Sequence, residues 1–396
     1  MNRIIFLLAV ILLLGACSSD SDESVTISRN GSNQEYLIHL KQVKDSISLN
    51  LSDFADDFEF IPLETKEECF LSYVHAYITN NYILVQKHKH GILQFDLNGR
   101  FLRTLVKYGK GPQEYINSKW TVDEEEQLLY LSDMGKPSYF LRFDLHTGDY
   151  LGDLRKAIPG RDNDIYLYKK DQLMVSCDGS LGTDDNPYQI YWQDLNGKLI
   201  DGIKAPPGFF IRNSKIFKIS GEEYRYQVYN VDTIFSIKNK QKIPYMLFDF
   251  GEPNPESNDY VGHKSMNLYF EANYWVQFYN FYTTKIENRG DGKAITITSG
   301  AVANYTLDKK NSKVYNSGDL LFTPTNHSLT SSEYQFIVIQ DNGIVYYPYQ
   351  ALDLIEQAEV ALANPDFKEP YRTQLEEIIK DLDENDNPVL LFGRLK

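Results

Sequence analysis

The sequence has few cysteines, no excess of positive charge and no second long apolar run. Cysteine occurs only 3 times in 396 residues, which excludes a disulfide framework. Lysine and arginine number 40 against 55 aspartate and glutamate residues, giving a formal charge of −15. A chain this acidic repels phosphate backbones, so we expect no nucleic-acid partner. Beyond residue 14 no apolar stretch is long enough to cross a bilayer, so we expect a soluble body.

The first sixteen residues have the pattern of an export signal. A basic start precedes the apolar run 4–14, which covers only about half of a bilayer. This run ends in small residues and a thiol that resemble a bacterial lipobox, Leu14-Gly15-Ala16-Cys17. We therefore expect 1–16 to be a lipoprotein signal peptide and Cys17 to carry the lipid that makes the membrane a partner.

The residues after Cys17 are small, polar and acidic, from Ser18 to Glu23. Low hydrophobicity and like charge predict a flexible acidic tether, which we place at 17–50. The run resembles the acidic export signal of surface lipoproteins in Bacteroidota. This resemblance implies an outer-membrane protein that faces the cell surface, with the periplasmic face as the alternative.

A hairpin motif repeats through the body of the chain, where short β-rich runs alternate with turn residues. Its copies are Asp96-Leu97-Asn98-Gly99, Asp144-Leu145-His146-Thr147-Gly148 and Asp194-Leu195-Asn196-Gly197. The steps of 48 and 50 residues between their aspartates fit one four-stranded β-propeller blade. Dividing the body, about 58–350, by this step predicts an all-β, six-bladed β-propeller, with five or seven blades still open.

The pattern changes after residue 350. Apolar residues at helical spacing predict helices at about 351–383, interrupted at Asn364-Pro365, and Val389–Phe392 then predicts a last strand. Either this strand or Phe58–Ile61 is expected to complete a blade. We assign 51–396 to the propeller, including a short C-terminal helical appendage.

Several short motifs together resemble the six-bladed β-propeller lipoproteins of Bacteroidota, over nearly all of 55–396. They are Phe60-Ile61-Pro62-Leu63-Glu64, Gly109-Lys110-Gly111-Pro112-Gln113-Glu114-Tyr115, Phe248-Asp249-Phe250-Gly251 and Asp386-Asn387-Pro388-Val389. That family's fold resembles NHL and TolB-type propellers, and some members are thought to serve glycan or peptide uptake. The resemblance implies a fold and a cellular location rather than a reaction.

Metal and cofactor patterns are incomplete, so we predict neither. His88 and His90 lie two apart in an expected extended segment, which is half of a zinc site. The acidic run 381–386 lacks the glycine of a calcium loop. Cys69 and Cys177 either pair or remain buried thiols, and the sequence leaves both open.

Candidate ligand-binding residues are few. The run Gly109–Pro112 fails the phosphate-loop pattern and predicts a turn between blades, which makes the adjacent Glu114 and Tyr115 modest ligand candidates. The aromatic-rich stretch 269–282 is expected to pack between blades, although Trp275 is a candidate for stacking on a sugar or peptide.

No spacing selects a catalytic triad, and paired carboxylates from different blades would escape a sequence search. We therefore expect a non-catalytic binding lipoprotein that captures an oligosaccharide or peptide at the face of the propeller, where loops of several blades converge. A hydrolase or lyase with a site assembled across blades, and a scaffold for an outer-membrane protein partner, are the alternatives.

Overall fold

The computed structural model describes residues 24–30, 33–72, 74–160, 162–211, 214–228, 231–250, 265–281, 285–289, 293–297, 302–322, 327–328, 337–365, 367 and 369–396. The chain divides into two compact units. The propeller unit contains Ser48–Ile243 and Gly318–Lys396, and the small unit contains Met1–Ile47 and Pro244–Ser317. The prediction of one propeller domain over 51–396 therefore did not anticipate the small unit.

The described residues are predominantly β-strand. Up to residue 211 the strands are β1 (Val25–Asn30), β2 (Asn33–His39), β3 (Ser46–Asn50), β4 (Ala55–Pro62), β5 (Ala76–Ile78), β6 (Tyr82–Lys87), β7 (Gly91–Asp96), β8 (Phe101–Lys107), β9 (Ser118–Asp123), β10 (Leu128–Asp133), β11 (Tyr139–Asp144), β12 (Tyr150–Arg155), β13 (Asp162–Lys169), β14 (Gln172–Cys177), β15 (Gly179–Leu181), β16 (Tyr188–Asp194), β17 (Leu199–Lys204) and β18 (Phe209–Ile211). Three short 3₁₀ turns lie among them, at Leu40–Gln42, Leu51–Asp53 and Glu67–Cys69.

The later strands continue this pattern up to two helices near the C-terminus. They are β19 (Ser214–Ser220), β20 (Glu223–Val228), β21 (Thr233–Lys238), β22 (Gln241–Asp249), β23 (Ser265–Ala272), β24 (Trp275–Phe281), β25 (Lys285–Arg289), β26 (Lys293–Ile297), β27 (Val302–Asp308), β28 (Lys313–Phe322), β29 (His327–Ser328), β30 (Val338–Ile339), β31 (Ile344–Tyr349) and β32 (Val389–Leu395). The helices are α1 (Ala351–Ala363) and α2 (Tyr371–Asp381), which confirms the helical appendage.

The propeller unit has five blades. Four are the sheets β30-β31-β32-β4, β5-β6-β7-β8, β9-β10-β11-β12 and β13-β14-β16-β17. The fifth contains β19, β20 and β21, after which the chain turns at Asn239 and Lys240 into β22. The all-β propeller fold is confirmed, but the count of six blades is wrong. The count of six came from dividing the length of the whole β-rich region by the repeat step. That region includes Pro244–Ser317, which belongs to the small unit.

Strands from both ends of the sequence complete the first blade. β32 pairs antiparallel with β4, so that Leu391 lies opposite Phe60. The buried Asn387, just before β32, ties the blade to the following loop: its Nδ2 donates to Glu64 O at 2.7 Å, and its Oδ1 accepts from the Leu71 N–H at 2.7 Å. These bonds explain two of the motifs on which the family resemblance rests.

The repeated hairpin motif joins the outer two strands of three blades. Asp96 Oδ1 accepts from the main-chain N–H groups of Asn98 and Arg100, each at 2.9 Å. Gly99 has φ +80°, and a Cβ there would lie 2.0 Å from Pro62 O, so only glycine fits. Asp194 accepts from the equivalent N–H groups of Asn196 and Lys198, whereas Asp144 accepts from those of His146 and Thr147. The motif therefore forms a tight turn between two strands, as the sequence predicted.

Apolar side chains fill the spaces between blades. One core cluster joins the first and second blades around Ile83 and Leu390, and a second joins the second and third around Leu129 and Leu141. A third cluster, which includes the fully buried Trp192, extends from the third to the fifth blade. Burial of each large apolar side chain stabilises the fold by about 2–3 kcal/mol. Apolar packing therefore links the five blades one after another.

The first described strands of the small unit lie inside the predicted tether. β1 pairs antiparallel with β2, and β2 pairs parallel with the later part of β22, from Tyr36 opposite Met246 to His39 opposite Asp249. Residues 17–50 were predicted to be a flexible tether, yet they include β1, β2 and β3. The alternating apolar residues Tyr36 and Ile38 are buried, which is why this stretch folds as a strand.

Candidate functional site

The first strands of the blades lie side by side in the propeller unit. β13 contacts both β9 and β19, and the Tyr77 ring of β5 lies 5.6 Å from the Trp120 ring of β9. The Ile78 N–H of β5 donates to Gln340 Oε1, next to β30, at 3.2 Å. These five strands are the inner strands, and they bring together side chains that are far apart in sequence.

Four titratable side chains meet where four inner strands begin, and we call them the inner cluster: His75, Lys119, Asp164 and Lys215. Lys119 Nζ lies 3.9 Å from Asp164 Oδ1. Both lysines are close enough to affect the pKa of His75 electrostatically, and Asp164 affects that of Lys215 in the same way. Four blades therefore supply one polar group each to a single site.

Asp164 determines the charge of the inner cluster. Burial raises its pKa to about 6, against the lowering effects of Lys119 and of the Ile216 N–H, which donates to Asp164 Oδ2 at 2.9 Å. The side chain is still 17% exposed, so solvent reaches it. A carboxyl group with this pKa changes its charge just below neutral pH.

His75 and Lys215 are both accessible to solvent, and each has enough protein around it to shift its pKa. Burial lowers the pKa of the His75 imidazole, and the Lys119 ammonium lowers it further. Burial likewise lowers the pKa of Lys215. At neutral pH the cluster therefore presents ammonium groups, one carboxylate and a neutral imidazole.

Two tyrosines extend the site along the same faces of β5 and β13, because alternate residues of a strand share a face. Tyr77 Oη donates to Asp341 Oδ1 at 2.6 Å, and Tyr166 Oη donates to Ile216 O at 2.5 Å. Burial raises the pKa of both tyrosines well above 10, so the hydroxyls stay protonated. The site therefore continues inward as a polar, aromatic surface.

Glu114 and Tyr115 lie in the loop between the second and third blades, as expected for the predicted turn. The Gly111 N–H donates to Glu114 Oε2 at 2.8 Å, so this carboxylate closes its own loop. Tyr115 is only 2% exposed, and burial raises its pKa to about 12. The inner cluster includes neither residue, and their ligand roles stay predictions.

The other predicted positions lie elsewhere. Trp275 is 8% exposed at the start of β24 in the small unit, where its ring lies 5.0 Å from that of Tyr274. Cys17 lies outside the described residues. Cys69 and Cys177 are buried free thiols, so no bridge joins them. The stacking role of Trp275 and the lipid on Cys17 stay predictions.

His88 and His90 were expected on an extended strand face, but they lie in the turn between β6 and β7. Lys89, between them, has φ +58°, which closes the hairpin. Both histidines line a pocket of about 670 Å³ together with Lys87 and Phe70. The tight turn therefore directs side chains to a cavity that strand alternation did not predict.

The inner cluster was not found from the sequence. Its members are 44, 45 and 51 residues apart, close to the repeat step, but their residue types differ from blade to blade. Repeated residue types therefore identify the outer hairpins but not these positions. Their position within the repeat could have identified them, because each lies at the start of the first strand of a blade.

In the part of the chain that the structure describes, no helix is long and apolar enough to cross a membrane. Within the same residues, no group of three or more histidine, cysteine, aspartate or glutamate side chains could hold a metal ion.

One solved structure supports the fold, and two more distant ones are also similar. A candidate exported protein of Bacteroides fragilis NCTC 9343 has a TM-score of 0.59 at 17% identity, covering 91% of this chain and 99% of its own. The WD40 repeats of RRP9 reach 0.41 at 10% identity over 85% of this chain and 97% of theirs. A Bacteroides caccae protein of unknown function reaches 0.34 at 15% identity over 61% and 80%. At these identities the first likeness shows the fold alone.

Sequence comparison defines the family. No curated protein matches the chain. The family model for a domain of unknown function, DUF4934, matches residues 35–394, which is most of the sequence. The chain therefore belongs to the DUF4934 family.

Proposed function

We propose that this chain is a lipid-anchored, non-catalytic binding lipoprotein that captures an oligosaccharide or a peptide at the inner cluster. The observation that supports this most is the convergence of His75, Lys119, Asp164 and Lys215 from four blades on one solvent-accessible surface. A few convergent polar groups are what fixes the orientation of a ligand in most binding sites. The cluster offers both donors and acceptors, as a ligand with many hydroxyl or amide groups requires.

The proposed anchor and location rest on the sequence. The lipobox-like run ending at Cys17 and the acidic residues after it are the basis for lipidation, outer-membrane attachment and exposure at the cell surface. In a Bacteroidota host, the full chain is expected to incorporate labelled palmitate, and Cys17→Ala is expected to abolish incorporation. Protease treatment of intact cells tests the side of the membrane, since a periplasm-facing protein would be protected.

Binding is tested with purified residues 18–396, the expected mature chain without its lipid. Thermal-shift screening against glycan and peptide libraries should give saturable stabilisation, because a ligand that binds only the native state raises its stability. Lys119→Gln combined with Lys215→Gln should remove that stabilisation without unfolding the chain. Absence of saturable binding to either library would contradict the proposal and favour the scaffold alternative.

A catalytic role is the second candidate, and the raised pKa of Asp164 is the observation that favours it. A carboxyl group with a pKa of about 6 can take up and release a proton near neutral pH, as proton-transfer catalysis requires. Product analysis of the binding mixtures distinguishes the two candidates. Turnover that is lost in Asp164→Asn would establish the enzyme, whereas binding without any product supports the non-catalytic role.

A further inference from the structure

The pocket that contains His88 and His90 lies at the end of the second blade where the inner cluster begins. The Gln86 N–H donates to His75 O at 3.0 Å, which places the end of β6 beside His75. Lys87 is the next residue and pairs with Gly91 across the hairpin. The pocket and the inner cluster are therefore neighbouring parts of one surface of the propeller unit.

The pocket combines one flat apolar ring with polar groups. The Phe70 side chain is 48% exposed, which is unusual for a large aromatic residue. Around it are the hydroxyls of Thr65 and Ser72, the imidazoles of His88 and His90, and charged groups. A pyranose ring has the matching shape, with an apolar C–H face for Phe70 and a rim of hydroxyls for the polar groups.

A peptide fits this surface less well. Peptides are held by added strand pairing or by a series of apolar side-chain pockets. The pocket has a volume of about 670 Å³, and besides Phe70 its apolar lining is Leu71, which is itself buried. The lining therefore favours a sugar over a peptide.

The charges on this surface favour an anionic sugar. Among the residues that the structure describes, no carboxylate lies within 4.0 Å of the ammonium groups of Lys87 or Lys215, and Lys119 has one distant contact with Asp164. The carboxylates present are Asp164 and Glu67. Lys66 also lines the pocket and is paired with Glu64 at 2.6 Å. Apart from that pair, three ammonium groups face two carboxylates on a chain with a formal charge of −15. An excess of cations on so acidic a protein marks a place where a ligand can supply the negative charge.

We propose that the ligand is an acidic oligosaccharide, one ring of which places its carboxylate or sulfate at Lys119 and Lys215 while a neighbouring ring stacks on Phe70. This inference rests on the proposed binding function and names the ligand class for it. The pocket acts as a second subsite beside the inner cluster, with the histidines donating hydrogen bonds to ring hydroxyls.

Isothermal titration calorimetry tests the proposal with matched ligands. The panel contains uronate and sulfated oligosaccharides, the same oligosaccharides after methyl esterification or desulfation, and acidic peptides. At least one acidic oligosaccharide should bind about 10-fold more tightly than its neutral counterpart, which corresponds to one charge-assisted contact. The uronate and sulfate arms show which anionic group is preferred.

Variants locate the two subsites. Lys215→Gln should weaken binding of the acidic ligand about 10-fold and leave the neutral counterpart unchanged. Phe70→Ala should weaken both ligands by a similar factor, and Phe70→Trp should restore them. Phe210→Ala is the matched control, because Phe210 on β18 is 64% exposed and outside the pocket, so its loss should not alter binding.

The outcomes separate the ligand class from the binding function. Equal affinity for acidic and neutral oligosaccharides, or a preference for the peptides, would overturn the inference and leave a binding protein. Saturable binding to no member of the panel or of the broader libraries would overturn the binding function itself. Binding unaffected by Phe70→Ala would remove the second subsite from the proposal.

Discussion

The outer hairpins and the inner cluster use aspartate in opposite ways. Bonds from main-chain N–H groups hold the pKa of Asp144 and Asp194 below the usual range. Burial instead raises the pKa of Asp164 to about 6. The outer carboxylates are satisfied within their own turns, whereas Asp164 depends on partners from neighbouring blades. The comparison indicates that repeated positions of this fold carry structure, while inner positions that differ between blades carry chemistry.

The comparison predicts two separable kinds of variant. Changes at structural positions should lower the free energy of unfolding while the folded fraction keeps its ligand affinity. Changes in the inner cluster should alter ligand binding and leave stability equal or higher.

Asn387→Ala should give the largest loss of stability. It removes hydrogen bonds to Glu64 O, Cys69 O and the Leu71 N–H from a fully buried position. Because buried main-chain groups lose their partners, we expect the free energy of unfolding to fall by about 4 kcal/mol in urea denaturation. Asn385→Ala, in the exposed turn nearby, should change it by less than about 0.5 kcal/mol. Equal effects would show that Asn387 does not hold the closing blade.

Gly99→Ala should give the next largest loss of stability, and Gly343→Ala is its matched control. Gly99 and Gly343 have nearly equal φ values, +80° and +81°, but a Cβ meets Pro62 O at 2.0 Å in the first and open space in the second. Gly343→Ala should therefore cost about 1 kcal/mol for its conformation alone, and Gly99→Ala about 3 kcal/mol because of the added clash. Thermal denaturation of both variants measures the difference, and similar losses would contradict the packing of this hairpin against Pro62.

The sequence predicted what repetition and periodicity encode. Aspartate and glycine in the hairpin motif must recur because each turn has the same geometry, and helical spacing marked α1 and α2. The blade count failed because a repeat step cannot tell which strands belong to the propeller unit. The tether prediction failed because the alternation of buried residues in β2, at Tyr36 and Ile38, comes soon after an acidic segment.

The site was harder to predict than the fold. Lys119 and Asp164 approach each other only after two blades have packed, so no local spacing records their contact. Glu114 was singled out for its place in a motif, yet that motif forms a connecting loop. The position of a residue in the repeat predicts that it lies on the inner strand of a blade. Which residues of the other blades it contacts is known only from the tertiary structure.

Asp164→Asn should stabilise the chain at high pH. Because the pKa is raised in the folded state, the native protein binds the proton more readily than the unfolded chain, and the ionised carboxylate is destabilising above pH 6. We expect a gain of about 2 kcal/mol at pH 8 that disappears as the pH falls from 6 towards 4. Asp194→Asn is the control of opposite sign, since a lowered pKa means that its carboxylate stabilises the fold at pH 8. A loss of stability in Asp164→Asn would contradict the comparison.

Tyr77→Phe should have the smallest effect, because it removes a hydroxyl and keeps the ring. Tyr77 Oη donates to Asp341 Oδ1 at 2.6 Å, so its loss leaves a partly buried carboxylate without this donor. We expect the free energy of unfolding to fall by about 1 kcal/mol in urea denaturation. The control is Tyr139→Phe, whose exposed hydroxyl has no hydrogen-bond partner among the described residues and whose loss should have no effect. If Tyr77→Phe also leaves the free energy of unfolding unchanged, the Tyr77 hydroxyl is not needed for stability and is available to bind a ligand. Tyr77 would then belong with the binding positions of the inner strands rather than with the structural ones.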